Sequence, residues 1–230
     1  MFKKIIQFDK TITLKLNSFK NDYLTPIIKF FAFFGQEPVW LGILAFFLFI
    51  WYDPNIFIVL GGNLLAGIYL VVPLKYIIKR KRPFQQIDRI IFLDRPQFSP
   101  SFPSWHCYNI ISMSCAIIFL LNLWILIPFL VIISSLVCFS RIYLGSHYFI
   151  DVLFGIILGF IGFLISISTT PLWLILVLIM ESFIIFPIAH QDWVSAIFTQ
   201  WWYLLLVILV YSTIFIITFY SLKFKGRKKD

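Results

Sequence analysis

The chain has 230 residues, of which 61% are hydrophobic and 13% charged, and its mean hydropathy is +0.95. A soluble domain of this size has too little interior to hide so much apolar surface, so the bilayer must solvate most of it, and a single membrane domain over 1–230 is expected. The net charge of +9 does not mark a nucleic-acid binder, because no basic, aromatic-interleaved soluble face accompanies it, whereas anionic membrane lipids suit it.

Residues 1–23 do not read as a signal peptide, since Lys3, Lys4, Asp9, Lys10, Lys15 and Lys20 interrupt any apolar core. Phe2, Ile5, Ile6, Ile12, Leu16 and Phe19 instead predict one face of an amphipathic helix lying on the membrane. The first spanning stretch runs from about Pro26 to Trp51. Within it Gly35-Gln36-Glu37-Pro38 predicts a kink at Pro38, or a short half-helix before the true span. Tyr52 to Asn55 reads as a tight turn. The second span, Ile56 to Ile78, carries Asn63 as an interhelical hydrogen-bonding residue.

Residues 79–102 form a loop long enough to favour a functional role. Lys79, Arg80 and Lys81 are expected in solvent or at lipid headgroups. Ile90 to Leu93 are expected to dip into the interface and bring Arg89 and Arg95 toward a headgroup. The third span, His106 to Leu121, and the fourth, Trp124 to Phe139, are joined by a minimal turn around Asn122. The fifth runs from about His147 to Ser168, with Gly155 and Gly159 as a close-packing face. A two-span extension over 171–222 follows, from Pro171 to about Ile188 and from Trp201 to Tyr220; neither Glu181 nor His190 in it receives a role. The fold class expected is all-α: a polytopic transmembrane helical bundle of six to seven spans with an amphipathic N-terminal helix. Cys107, Cys115 and Cys138 lack the spacing of a disulfide framework or a zinc site, and no carboxylate cluster suggests magnesium. No metal and no cofactor is expected.

The chemistry concentrates in Ser140 to Asp151, which lies between two apolar runs yet holds Arg141, His147 and Asp151. On a helix His147 and Asp151 share a face. The carboxylate can then accept a hydrogen bond from one ring nitrogen and leave the other free to attack. Arg141 adds a planar donor fork suited to phosphate oxygens. Taken alone, a buried structural ion pair near a helix end accounts for these residues equally well. Two further stretches change the balance: Lys75 with Arg82-Pro83, and Pro103-Ser104-Trp105-His106.

Together the blocks read K-x6-R-P, P-S-x-H and S-R-x5-H-x3-D. They resemble the signature of the type 2 phosphatidic acid phosphatase superfamily, over Lys75 to Asp151. One position departs from it: Trp105 stands where that family usually has Gly. Arg95-Pro96 is a second Arg-Pro, but Asp88 occupies the place of its lysine. The resemblance implies His147 as a nucleophile that becomes a phosphohistidine, Asp151 as the residue orienting it, and His106 as acid to the leaving oxygen and later base to water. Lys75, Arg82 and Arg141, the Ser104 hydroxyl, and the N–H groups of Trp105 and His106 at a helix N-terminus would bind the phosphate. The activity implied is metal-independent hydrolysis of a lipid phosphate or diphosphate. Polyprenyl diphosphate ranks first, ahead of phosphatidylglycerol phosphate, phosphatidate and lipid A. A lipid phosphotransferase using the same phosphohistidine is the second reading, and a transporter the third, although no inverted repeat supports one. Span order brings the motifs to one membrane face. Charge counting alone leaves the orientation open, because lysines flank both ends of the chain; the basic tail Lys223 to Lys229 abuts its span, and the resemblance to bacterial lipid phosphatases, which usually face outward, implies a cytoplasmic tail and a site on the periplasmic or exterior face of the plasma membrane.

Overall fold

A computed structural model describes residues 2–51 and 53–183, except for the side chains of Phe2, Lys3, Leu48, Phe49 and 177–183. Every regular element among the described residues is helical: α1 (Phe2–Asn17), α2 (Leu24–Phe33), α3 (Glu37–Phe49), α4 (Pro54–Ile78), α5 (Pro83–Gln86), α6 (Trp105–Leu121), α7 (Ile127–Tyr143) and α8 (Phe149–Phe183). Three stretches are long and apolar enough to cross a bilayer: α4 with α5, Trp124–Tyr143, and Phe149–Leu176. The pair α2 and α3, bent by 42° at its break, makes a fourth, and α6 is a shorter apolar helix. This differs from the six to seven spans expected. Part of that difference is coverage: Trp201 to Tyr220 and His190 lie outside the described residues, and the side chain of Glu181 is not described.

The rest of the difference is physical. No new span opens at Pro171, because α8 runs through that proline for 35 residues. The proline lacks the N–H that would bond Ile167 O, one bond of a long helix, and the hydroxyls beside it bond carbonyls of the preceding turn: Thr170 Oγ1 donates to Ser166 O at 2.9 Å and Thr169 Oγ1 to Ile165 O at 2.9 Å. The α2–α3 break falls just before Pro38, which occupies the first turn of α3 where no N–H is needed. Trp40 Nε1 donates back across the break to Phe34 O at 2.8 Å.

The centre of the bundle is α6 packed on α8, with α4 and α7 flanking it; Val59, Leu60, Cys107, Met113, Val137 and Val152 share one apolar cluster. A Cβ on Gly155 would stand 2.6 Å from Ser104 O and one on Gly159 would stand 2.8 Å from Ile111 Cβ, so these glycines let the start of α6 seat against α8. Polar side chains tie helices where no water can. Ser166 Oγ donates to Val59 O at 2.9 Å, and the Ser114 and Ser134 hydroxyls lie 3.1 Å apart. Asn63 behaves differently from its expected role. Its amide bonds Val59 O of its own helix at 2.8 Å, and the interhelical bond falls on its backbone carbonyl, which accepts from Tyr108 Oη at 2.6 Å.

Helix α1 buries a polar stripe. Asp9, Thr13 and Asn17, spaced by four, are its fully buried positions, while Ile5, Ile6 and Phe8 stay exposed. The backbone of the segment Ile90 to Leu93 is tethered to the bundle: Ile91 N donates to Asn17 Oδ1 at 2.8 Å, and Leu93 N to Leu144 O at 3.1 Å, while the Ile91 side chain stays exposed.

Candidate active site

The turn between α7 and α8 delivers the first group. Arg141 lies inside α7, two residues beyond the expected end of that span. Its carbonyl accepts from both Ser146 N and His147 N at 3.1 Å, which folds the chain back so that His147 stands beside Arg141. Gly145 carries φ +76° in this turn, and a Cβ there would meet Ile91 O at 2.9 Å, so both backbone and space call for glycine.

His147 precedes α8 by two residues, so it and Asp151 do not share a helix face as expected. Asp151 instead sits in the first turn of α8, where its Oδ2 accepts from Tyr148 N at 3.0 Å. The same oxygen accepts from Ser101 Oγ and lies 3.6 Å from His147 Nδ1. The pair meets across a helix N-terminus, at ion-pair rather than hydrogen-bond distance.

A strip of loop, Ser99 to Ser104, stitches the other motifs to this turn. Lys75 Nζ donates to Pro100 O at 2.8 Å and Arg82 Nε to Ser99 O at 3.0 Å. Ser104 N donates to Asp151 O at 3.0 Å. Ser104 is the N-cap of α6, so the first N–H groups of that helix, at Trp105 and His106, open beside the motif residues. Trp105 and His106 line one cleft of about 710 Å³ with Lys75, Arg82, Asp94 and His147. The indole Nε1 of Trp105 and the Nε of Arg141 are buried without a hydrogen-bond partner among the described residues.

The protein itself fixes the tautomer of His147. Arg82 Nη1 lies 3.2 Å from His147 Nε2. Guanidinium only donates, so Nε2 is the acceptor and the ring proton sits on Nδ1, toward Asp151. Burial, then Arg82, Arg141 and Lys75, push the His147 pKa well below its ordinary value. The ring is therefore neutral, with its lone pair on the cleft side.

Thus Lys75, Arg82, Ser104, Trp105, His106, Arg141, His147 and Asp151 come together at one end of the bundle. The sequence reading missed four neighbours. Arg80, expected in solvent, is half-buried: its Nη1 donates to Asp151 Oδ1 at 2.7 Å, its Nη2 pairs with Asp9, and its Cζ lies 3.9 Å above the Tyr148 ring centroid. Ser101 fixes the other side of Asp151. Asp94 Oδ2 accepts from Arg141 Nη2 at 2.7 Å and from Ser146 Oγ at 2.6 Å. The one signal for Asp9 was the spacing of four from Asp9 to Thr13 to Asn17, with Asp9 the only acidic residue of α1. Arg95 lines the cleft, whereas Arg89 does not. Among the described residues no group of three or more His, Cys, Asp or Glu has a metal-holding arrangement.

The family model for the PAP2 superfamily matches residues 56–175. The undecaprenyl-diphosphatase of Sulfolobus acidocaldarius is 31% identical over 152 residues, covering 64% of this chain and 72% of that protein. Among solved structures, LpxE of Aquifex aeolicus superposes with a TM-score of 0.61 at 22% identity, over 69% of this chain and 93% of that one. A transmembrane PAP2-type phosphatidylglycerolphosphate phosphatase from Bacillus subtilis gives 0.57 at 25% identity, over 72% and 85%. With the motif blocks gathered around one cleft and the family model spanning more than half of the sequence, this membrane protein belongs to the PAP2 superfamily.

Proposed function

We propose that the chain is a lipid phosphate or diphosphate phosphatase that works through a phosphohistidine on His147. The cleft carries this reading. One end holds Lys75, Arg82, His106 and His147, and its wall continues between α3 and α4 along Leu41, Leu64, Ile68 and Val72. A phosphate joined to an apolar tail matches both ends, whereas a soluble phosphate ester matches only one. Three cations meet the charge of the transferring group, and the α6 N-terminus adds donors. On binding, the Arg82 N–H moves from His147 Nε2 to a phosphate oxygen, which frees the lone pair. Nε2 then bonds to phosphorus as the bond to the leaving oxygen breaks, and His106 gives that oxygen its proton. Water next attacks phosphorus, His106 takes its proton, and the P–N bond breaks to release phosphate. Side-chain cations make the reaction metal-independent. The 31% identity to an undecaprenyl-diphosphatase supports polyprenyl diphosphate as the first substrate to test.

The test is phosphate release by purified protein from a panel of lipid phosphates, with and without chelator. Hydrolysis of a polyprenyl diphosphate that survives chelator and drops more than about a thousandfold in His147→Ala is the expected result. Near-wild-type activity in His147→Ala, or an activity restored to chelated enzyme by magnesium, would sink the mechanism. The site is assigned to the outer face of the membrane. An impermeant thiol probe on intact cells should label a Cys at Gln97 and not one at Gly226; the reverse pattern inverts the assignment.

A further inference from the structure

The buried stripe of α1 reaches the chemistry. Asp9 is fully buried, although it sits on a helix whose other face is exposed. Its Oδ1 accepts from Ile150 N at 2.9 Å, and Thr13 Oγ1, one turn on, accepts from Phe149 N at 3.1 Å. Helix α1 thus supplies, from a different element, first-turn acceptors for α8, the helix that carries Asp151. Capping alone requires no arginine. Yet Arg80 forks between Asp9 and Asp151, and its guanidinium is held against the Tyr148 ring. The stacking opposes a swing of Arg80 wholly onto either carboxylate.

We infer that Asp9 and Arg80 are positioning residues for the reaction at His147, acting through Asp151. This rests on His147 being the nucleophile. Two carboxylates and one guanidinium leave one net negative charge, and Asp151 presents it to the Nδ1 side of the ring. When Nε2 bonds to phosphorus, the ring acquires positive charge, which Asp151 stabilises only if Arg80 has not cancelled it. Arg80 holds Asp151 in place; Asp9 offsets the charge that Arg80 brings. Without Asp9, the imidazole would face a neutral pair.

The test is a double-mutant cycle in the full chain, with Asp9→Asn, Arg80→Gln and both together. Asp9→Asn should lower kcat by about tenfold, the equivalent of one pKa unit on the ring. Inhibition by inorganic phosphate, read on the cleft side, should change by less than about twofold in the same variant. In the Arg80→Gln background the same substitution should cost less than about twofold, because the charge it offsets is gone. Asp9→Glu should restore most of the activity. Thr13→Ala, which removes a cap without touching Arg80, should lower the melting temperature and leave kcat within about twofold. Equal losses from Asp9→Asn in both backgrounds, or a kcat loss in Thr13→Ala matching that of Asp9→Asn, would overturn the inference and reduce α1 to a cap. Should Asp9→Asn be too unstable to purify, Arg80→Lys, which keeps the charge without the fork, serves instead. Wild-type kcat in that variant would likewise overturn the inference. A base-stable phosphoenzyme is followed alongside. Label lost in His147→Ala upholds the nucleophile; unlabelled wild type removes both claims; labelled wild type with a multiplicative cycle removes this one alone.

Discussion

On its cleft side His147 meets Arg82, and on its far side Asp151, and the two surroundings are built differently. Around Arg82 the partners come mostly from loop carbonyls and hydroxyls: Ser99 O, Ser99 Oγ and Ser146 O. Lys75 rests on Pro100 O and Arg141 on the carboxylate of Asp94. Under the proposed function each is a bond that an incoming phosphate oxygen would replace. Around Asp151 the partners are the Tyr148 N–H just before α8, a serine hydroxyl and a guanidinium itself paired with Asp9, and the carboxylate is wholly buried. No phosphate reaches that side. Long cationic side chains resting on loop acceptors form the face whose bonds are exchanged under the proposed function, while a helix start and paired charges form the face that has to stay still.

The largest effect that would break this comparison is expected from Arg82→Lys. Lysine keeps the charge but not the planar fork, and it would leave buried acceptors around Ser99, Ser146 and His147 unpaired. Phosphate release should fall in kcat/KM by about a hundredfold, or ~2.7 kcal/mol. A lysine variant within about threefold of wild type would mean that positive charge alone does the work, and that the hydrogen-bond fork on the cleft side is incidental.

The two faces were also unequally legible in the sequence. Lys75, Arg82, Ser104, Trp105, His106 and Arg141 fall in ordered motif blocks with fixed spacing, so the cleft face could be read from the chain. The far face could not, beyond Asp151 itself. Asp9 and Arg80 are 71 residues apart, and nothing local says that they meet. Arg80 lies inside a basic run, Lys79 to Lys81, where the default is solvent. What buries it is the docking of α1, a tertiary event. The helical reading of His147 and Asp151 failed for a related reason. Spacing of four fits a helix face, but it equally fits a residue just outside a helix and a capping carboxylate in its first turn. The proline at 171 misled through propensity: it removes one backbone bond, and a helix of 35 residues runs on through it.

A smaller effect, of opposite sign, sharpens the comparison at Asp94. Burial pushes this carboxyl up, but Arg141 and the Ser146 hydroxyl bond outweigh burial and hold it below the usual carboxylate range. It is therefore ionised throughout the working pH range, an anion already resting on one of the cations proposed to bind phosphate. Asp94→Asn removes that competitor. Inhibition by inorganic phosphate should tighten by about three- to tenfold, ~0.7–1.4 kcal/mol, with the melting temperature little changed or lower. Weaker inhibition would show that Asp94 holds Arg141 in position for the ligand rather than occupying its place.

The smallest expected effect concerns pH. His147 faces Lys75 from α4, Arg82 at the start of α5, Arg141 from α7, His106 from α6, Asp94 from the loop and Asp151 from α8. Burial comes first, and Arg82, Arg141 and Lys75 add to it; together they depress the His147 pKa well below its ordinary value despite the nearby carboxylates. A depressed pKa means that the folded protein binds fewer protons than the unfolded chain in the window below the unfolded value of about 6.5. The contribution of His147 to stability is therefore fully present above about pH 6.5 and is lost as the pH falls toward the folded pKa. The ring itself should show almost no change over that window. With 15N-labelled histidine, the His147 resonances, assigned by their loss in His147→Gln, should remain those of a neutral Nδ1–H tautomer from about pH 8 to about pH 5.5. Over the same interval wild type should lose melting temperature relative to His147→Gln, since only wild type must leave that imidazole unprotonated in order to fold. A His147 ring that titrates near pH 6.5 in the free protein would mean that its far-side carboxylate balances the cleft-side cations. The comparison drawn between the two faces would then have the electrostatics of the resting site wrong.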